Sequence, residues 1–212
     1  MKSRRDLLRR SRLYLILDKK VCAKRPLNRL ARLLFRAGVG LIQLRDKQAS
    51  DELLTIRACA LAKTLKNTKT LFIVNNNIRV AKLSGSDGVH LGQSDASVRQ
   101  ARCVLGKNKI IGKSCGSLAQ AIAAQAQGAD YLGIGPVFRS PLKPGVKALG
   151  LNTLSRLKGR IHIPYYAIGG INLSNVDSVL ETGASGIALC RAVLKAKDIK
   201  KTAVTFKLKL DK

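Results

Sequence analysis

Polar and cationic residues recur along this chain just past its apolar runs. Gln43, Arg45 and Lys47 close "LIQLRDK", and Asn75, Asn76 and Asn77 end "LFIVNNN". "HLGQSD" supplies His90, Gln93 and Asp95, and "IIGKS" ends at Ser114. The stretch 135–150, "GPVFRSPLKPGVKALG", carries Arg139, Ser140, Lys143 and Lys147. Gly169 and Gly170 lie in "AIGGI", and Cys190 and Arg191 follow "GIAL". Carboxylates are scarce in this set, so general acid–base catalysis has little support. Positive charge is plentiful, which suits a reaction carried by an anionic leaving group. His162 precedes an apolar run and reads as structural. His90 has no evident Cys or Asp partner and reads as a packing residue.

These residues need elements to bring them together. Four segments end a helical stretch at a glycine (Gly38, Gly85, Gly128 and Gly183) and pass at once into an apolar run. Glycine takes the left-handed conformation that closes a helix without a Cβ penalty. A continuous apolar run directly afterwards fits a parallel strand covered on both faces. The intervals between the glycines each hold about two βα units of roughly 25–30 residues. The runs 13–18, 71–75, 109–112 and 164–169 fill the gaps. Helical patterns over 51–66 and 117–127 lie between them, and Ser50, Ser117 and Ser174 stand where N-caps belong. About eight strands thus alternate with about eight helices, which predicts a single-domain α/β chain, a (β/α)8 TIM barrel. A doubly wound open sheet is the runner-up.

In such a barrel the reactive groups gather at the C-terminal ends of the strands. The polar residues named above follow strands 2 to 8, so they converge on one rim. Gly169 and Gly170, ahead of a helix expected near Ser174, offer backbone N–H groups as a phosphate cradle. "LGIGPV" is no dinucleotide fingerprint, because its second glycine runs into Pro136 and not into a helix. The long stretch 135–150 reads as a lid.

Composition bounds the partners. The chain of 212 residues is 46% hydrophobic but only 4% aromatic, so an aliphatic core is expected. The barrel is expected over 13–195, with a basic N-terminal tail at 1–12 and a basic C-terminal helix or tail at 196–212. "MKSRRDLLRRSR" lacks an apolar h-region and reads as a solvated basic tail, not a secretory signal. No run approaches the ~20 apolar residues of a membrane span. Five scattered cysteines without a C-x-x-C pair point to a reducing cytoplasm rather than a disulfide framework or a zinc site. The net charge of +28 is spread along the chain. No nucleic-acid motif accompanies it, so weak polyanion binding is expected and a dedicated nucleic-acid role is not. The oligomeric state is left open.

The motifs "IQLRDK", "FIVNNN", "DGVHLGQSD", "IIGKS", "ADYLGIGPVF" with Lys143, and "AIGGI" occur in this order over residues 13–195. In this combination the chain resembles the thiamine-phosphate synthase family, whose fold the related thiazole tautomerases share. The resemblance implies a transferase in thiamine biosynthesis that takes small phosphorylated substrates. An aminopyrimidine methyl diphosphate loses pyrophosphate, and a thiazole phosphate nitrogen captures the pyrimidine methylene. It implies Mg2+ on the leaving diphosphate, with Asn76 and Asp95 in the metal positions. It implies catalytic roles for Arg45, Lys47, Ser114 and Lys143, which hold pyrophosphate. Gln43 and Asn75 would place the pyrimidine and its diphosphate, and Gly170, with Ser140 and Arg191 nearby, the phosphate of the thiazole. The chain departs from the family pattern in four places. Asn76 replaces an aspartate, Gly116 a histidine, Leu142 a hydroxyl residue and Arg191 a serine. These departures leave two alternatives open: a weak or inactive member that binds phosphorylated ligands, or a thiazole tautomerase.

Overall fold

The computed structural model describes residues 3–139, 145 and 147–211. Helix α1 (Arg4–Arg10) precedes strand β1 (Leu13–Asp18). Then follow α2 (Lys19–Cys22), α3 (Leu27–Arg36), β2 (Leu41–Arg45), α4 (Asp51–Leu65), β3 (Leu71–Asn75), α5 (Ile78–Leu83), β4 (Gly88–Leu91) and α6 (Val98–Leu105). The second half runs β5 (Ile110–Cys115), α7 (Leu118–Ala126), β6 (Tyr131–Ile134), α8 (Gly150–Ser155), β7 (Tyr165–Ile168), α9 (Val176–Glu181), β8 (Gly186–Leu189), α10 (Arg191–Leu194) and α11 (Ile199–Leu210). The eight strands are parallel to their neighbours and close into one barrel in sequence order. The predicted TIM barrel is therefore the fold, and the open sheet is not.

The expected local signals do their work. Gly38, Gly85, Gly128 and Gly183 have φ of +81°, +73°, +85° and +84°, the conformation that ends a helix cheaply only with glycine. The Ser50 hydroxyl accepts from Leu53 N–H and opens α4, and the Ser117 hydroxyl accepts from Gln120 N–H and opens α7. Ser174 does not cap: its N–H and hydroxyl both donate to Asn172 Oδ1, and α9 starts two residues later behind Asn175. Strand β5 also runs further than its apolar letters, through Lys113, Ser114 and Cys115. Lys113 can stand there because its stem is buried and its ammonium donates to Gly92 O at 2.7 Å.

Alternation along the strands divides the core in two. An aliphatic layer lies between the barrel wall and the helices. Inside the barrel, the expectation of an aliphatic core fails. Tyr14, Tyr131 and Tyr166 fill the axis together with Ile16, Leu41, Leu71, Ile73 and Ile110. Few aromatics in the whole chain did not mean few at the centre.

The N-terminal mouth of the barrel would leave Leu41, Leu71 and Ile110 open to water, and α1 covers it. Ser3 and Asp6 form a capping box that starts this helix. Leu8 inserts with 2% exposure among the axial residues. Arg4 pairs with Asp87 at 2.7 Å and Arg5 with Asp130 at 2.9 Å. Tyr166 donates to Ser11 O at 2.8 Å. The reading of 1–12 as a solvated tail is thus corrected over Arg4–Arg10. Its leucines were the missed signal, since a tail has no use for a buried apolar residue. At the other end, α11 buries Ala203, Phe206 and Leu210, so the barrel runs past residue 195. Leu8→Ala should cost about 2–5 kcal/mol in urea unfolding, as for other buried leucines. A loss below roughly 0.5 kcal/mol, the size of an ordinary surface change, would show that the plug is peripheral.

Candidate active site

Inward-facing strand residues approach the C-terminal rim as a ring. Asp18 of β1 lies beside Arg45 of β2, Asn75 of β3 beside His90 of β4, and Ser114 stands near the end of β5. This ring contains Arg45, Asn75 and Ser114 of the site residues named from the sequence, and period-two alternation is what aims them at the axis.

Arg45 forms an ion pair with Asp18, whose side chain is only 6% exposed. The other oxygen of Asp18 accepts from the N–H groups of Lys20 and Val21, at 3.0 and 3.3 Å. One carboxylate therefore starts α2 and orients Arg45. Sequence reasoning missed Asp18, although it ends "LYLILD" in the same register as Tyr14 and Ile16. Lys47 is exposed beyond the strand. Gln43 lies two residues deeper than Arg45, 2% exposed, and donates to the Tyr14 hydroxyl. Arg191 is exposed at the start of the short α10. Ser140 and Lys143 lie outside the described residues. Of the expected lid, the flanks are pinned: Val137 N–H donates to Ile168 O at 2.9 Å and Leu149 N–H to Pro136 O at 2.8 Å.

The three asparagines have three separate jobs. Asn75 ends β3 in register with His90. Asn76 has φ of +64°, a region that asparagine and aspartate tolerate better than other side chains. Its backbone N–H donates to His90 O at 2.8 Å, and its amide donates to Asp95 Oδ1 at 3.1 Å. Asn77 caps α5 by accepting from Val80 N–H at 2.9 Å. The structure thus brings together the two residues expected at a metal. Asp95 Oδ2 also accepts from Gly92 N–H at 2.5 Å. No group of three or more His, Cys, Asp or Glu side chains suited to a metal occurs among the described residues. One carboxylate beside one amide fits Mg2+, which is commonly held by one or two carboxylates together with substrate phosphates and water.

Gly169 and Gly170 have φ of +101° and +68°. A Cβ on Gly170 would lie 2.6 Å from Phe138 Cβ, and one on Gly169 would lie 2.5 Å from Pro136 Cβ. Close packing against the segment after β6 therefore demands both glycines, whatever their N–H groups bind. Asn175 fixes the turn by donating to Gly170 O at 3.0 Å.

His90 was expected to be a packing residue. It is buried, but its two ring nitrogens meet Tyr131 OH at 3.0 Å and Ser114 Oγ at 2.9 Å. Strand alternation through "GVHL" and "DYLGI" was the available signal. Burial pushes the Cys190 thiol up to about 12, helped by nearby Asp18, and the Cys22 thiol up to about 11. Both stay protonated near neutrality, so neither is a ready nucleophile. His162 stands at the opposite end, where a cavity of about 310 Å3 is lined by Arg9, Lys158, His162 and Ser185. No helix among the described residues is long and apolar enough to cross a membrane.

A profile described as thiamine monophosphate synthase matches residues 13–193. A thiamine-phosphate synthase of Clostridioides difficile is 36% identical over 199 residues, covering 94% of this chain and 95% of that one. Another, of Clostridium acetobutylicum, is 39% identical over 192 residues, covering 91% of each. The solved thiamine phosphate pyrophosphorylase of Pyrococcus furiosus superposes with a TM-score of 0.88 at 33% identity, over 98% of this chain and 97% of its own.

The Asp18–Arg45 pair yields a direct test. Asp18→Asn keeps a side-chain oxygen to cap α2 but puts an amide donor where Oδ2 accepted from Arg45, so both the charge and that acceptor are lost. It should lower stability by about 1–3 kcal/mol in urea unfolding, the worth of a charge-assisted hydrogen bond. An unchanged midpoint would mean that the pair does not hold Arg45.

Proposed function

The chain belongs to the thiamine monophosphate synthase family, and from that premise we propose that it makes thiamine phosphate from a pyrimidine diphosphate and a thiazole phosphate. The observation that carries this reading is the match to thiamine-phosphate synthases over nearly the whole chain. The enzyme is a transferase. The bond between the pyrimidine methylene and the diphosphate oxygen breaks, and its electron pair leaves with pyrophosphate. The thiazole nitrogen supplies the pair for the new carbon–nitrogen bond. No base is needed for either event. The rim supports this, since it offers cations and hydrogen-bond donors where negative charge grows.

Arg45, held by Asp18, is assigned to the diphosphate with Lys47, Ser114 and Lys143. Gln43, two residues deeper than Arg45, and Asn75, level with it, are assigned to the pyrimidine and its diphosphate. Gly170 is assigned to the thiazole phosphate through its backbone N–H, and Ser140 and Arg191 are assigned to substrate binding. Asp95 and Asn76 would hold Mg2+, which offsets charge on the leaving group. The protein supplies one formal negative charge there, so Mg2+ would be held more weakly than by two carboxylates and, when bound, would keep more of its charge for the diphosphate. At the position where the resemblance expects a histidine, Gly116 N–H donates to Gln120 Oε1 at 2.7 Å. That leaves no proton shuttle in that place and supports a synthase over a tautomerase. Five free cysteines support a reducing, cytoplasmic setting.

Purified protein given both phosphorylated precursors and Mg2+ should form thiamine phosphate and pyrophosphate. Phosphate-ligand binding without product over a broad Mg2+ range would sink this reading in favour of a non-catalytic binder. Asn76→Asp keeps the backbone conformation tolerable and adds a charge. It should lower the Mg2+ concentration that gives half-maximal rate, and an unchanged requirement would place Asn76 away from the metal.

A further inference from the structure

A continuous line of polar atoms crosses the barrel axis. It begins at Gln43 in β2, whose amide nitrogen donates to the Tyr14 hydroxyl in β1. Tyr14 OH lies 2.9 Å from Tyr131 OH of β6, and Tyr131 OH lies 3.0 Å from His90 Nδ1 of β4. His90 Nε2 then lies 2.9 Å from Ser114 Oγ of β5, at the rim. Gln43, Tyr14, Tyr131 and His90 are all buried. We infer that this line has one direction, from Gln43 outward, and that it fixes the Ser114 hydroxyl as a hydrogen-bond donor to the substrate.

The direction follows from counting hydrogens. A phenol has one. Tyr14 accepts from Gln43, so its own hydrogen goes to Tyr131. Tyr131 then has its hydrogen left for His90 Nδ1. That places the ring hydrogen on Nε2, which donates to Ser114 Oγ. Ser114 therefore keeps its own hydrogen for a partner at the rim. Burial raises the pKa of Tyr14 and of Tyr131 well above the usual phenol range, so ionisation does not interrupt the line near neutrality.

The barrel is built around this line. A Cβ on Gly112 would lie 2.2 Å from Tyr131 Cζ and 2.6 Å from His90 Nδ1. A Cβ on Gly133 would lie 3.2 Å from His90 Cε1. Gly112 on β5, the one strand between them, is what lets Tyr131 of β6 reach His90 of β4. Tyr166 is outside the line: it donates toward α1 and packs edge-on against Tyr14 and Tyr131, with centroids 5.4 and 5.6 Å away.

The consequence rests on the reading that Ser114 faces the leaving diphosphate. Diphosphate oxygens near neutrality are acceptors, so only a serine that donates helps them leave. With the line reversed, Ser114 would donate to His90 and turn lone pairs toward the anion. Gln43 also has an assigned place beside the pyrimidine. In this line Tyr14, Tyr131 and His90 act as positioning residues through Ser114.

The chain has two histidines, so wild-type protein labelled with 15N-histidine gives a simple long-range proton–nitrogen spectrum. His162→Gln assigns the two rings. The His90 ring should carry hydrogen on Nε2 only, with Nδ1 an acceptor. Hydrogen on Nδ1, alone or on both nitrogens, overturns the inference even if the enzyme makes thiamine phosphate. Tyr131→Phe removes one hydroxyl and little volume. It should lower kcat about tenfold and add little in a Ser114→Ala background. An equal loss in both backgrounds would break the link to Ser114. A Ser114→Ala enzyme with wild-type kcat would instead remove the serine from the reaction while leaving the tautomer result intact.

Discussion

Closing eight parallel strands into a barrel sends every second side chain toward one axis, and what stands there must fill the space and satisfy its own polar atoms. Most barrels of this class solve that with branched aliphatic layers. Here three tyrosines share the axis, and each brings a hydroxyl into the buried interior. No buried side-chain nitrogen or oxygen among the described residues is left without a hydrogen-bond partner. The tyrosines are satisfied in opposite directions: Tyr166 toward the N-terminal plug, Tyr14 and Tyr131 toward His90 and the rim. Stability and reactive geometry are therefore set by the same packed layer.

That layer explains the division of labour between the two ends. At the N-terminal end, Asp87 and Asp130 accept from Phe72 N–H and Ile111 N–H and also hold Arg4 and Arg5 of the plug. These motif aspartates keep the mouth closed and take no part in the chemistry. At the C-terminal end, Asp18 and Asp95 are spent on orienting an arginine and an asparagine. The rim keeps few free carboxylates, as an enzyme that must attract and release diphosphate requires.

How much of this was legible depended on whether the signal was local. Helix ends at Gly38, Gly85, Gly128 and Gly183 need only a backbone conformation, and the sequence carried it. The barrel followed from their spacing and from apolar runs such as "LYLILD". The candidate site residues Arg45, Asn76, Asp95 and Ser114 could be named because they lie at or just past strand ends. What was missed joins residues far apart in the chain: Asp18 with Arg45, Leu8 with the axial core, His90 with Tyr131. A histidine whose partners are a tyrosine 41 positions away and a serine 24 positions away looks unpartnered to any motif search. Only the closed barrel makes them neighbours.

The same closure bears on Asn76, which is proposed to face the metal. Asn76 is fixed by its left-handed backbone and by the hydrogen bond from its N–H to His90 O. That carbonyl belongs to the residue whose ring contacts Ser114. The expected metal edge and the expected diphosphate donor are thus attached to one histidine, from opposite sides of its own backbone. Losing a carboxylate at position 76 removes charge without disturbing this frame, because asparagine satisfies the same backbone demand. A frame that survives the loss of a charge can still place an anionic leaving group. Under the proposed function, a metal held more weakly at this edge leaves Arg45 and the other rim cations as the standing positive charge, in a chain of net charge +28.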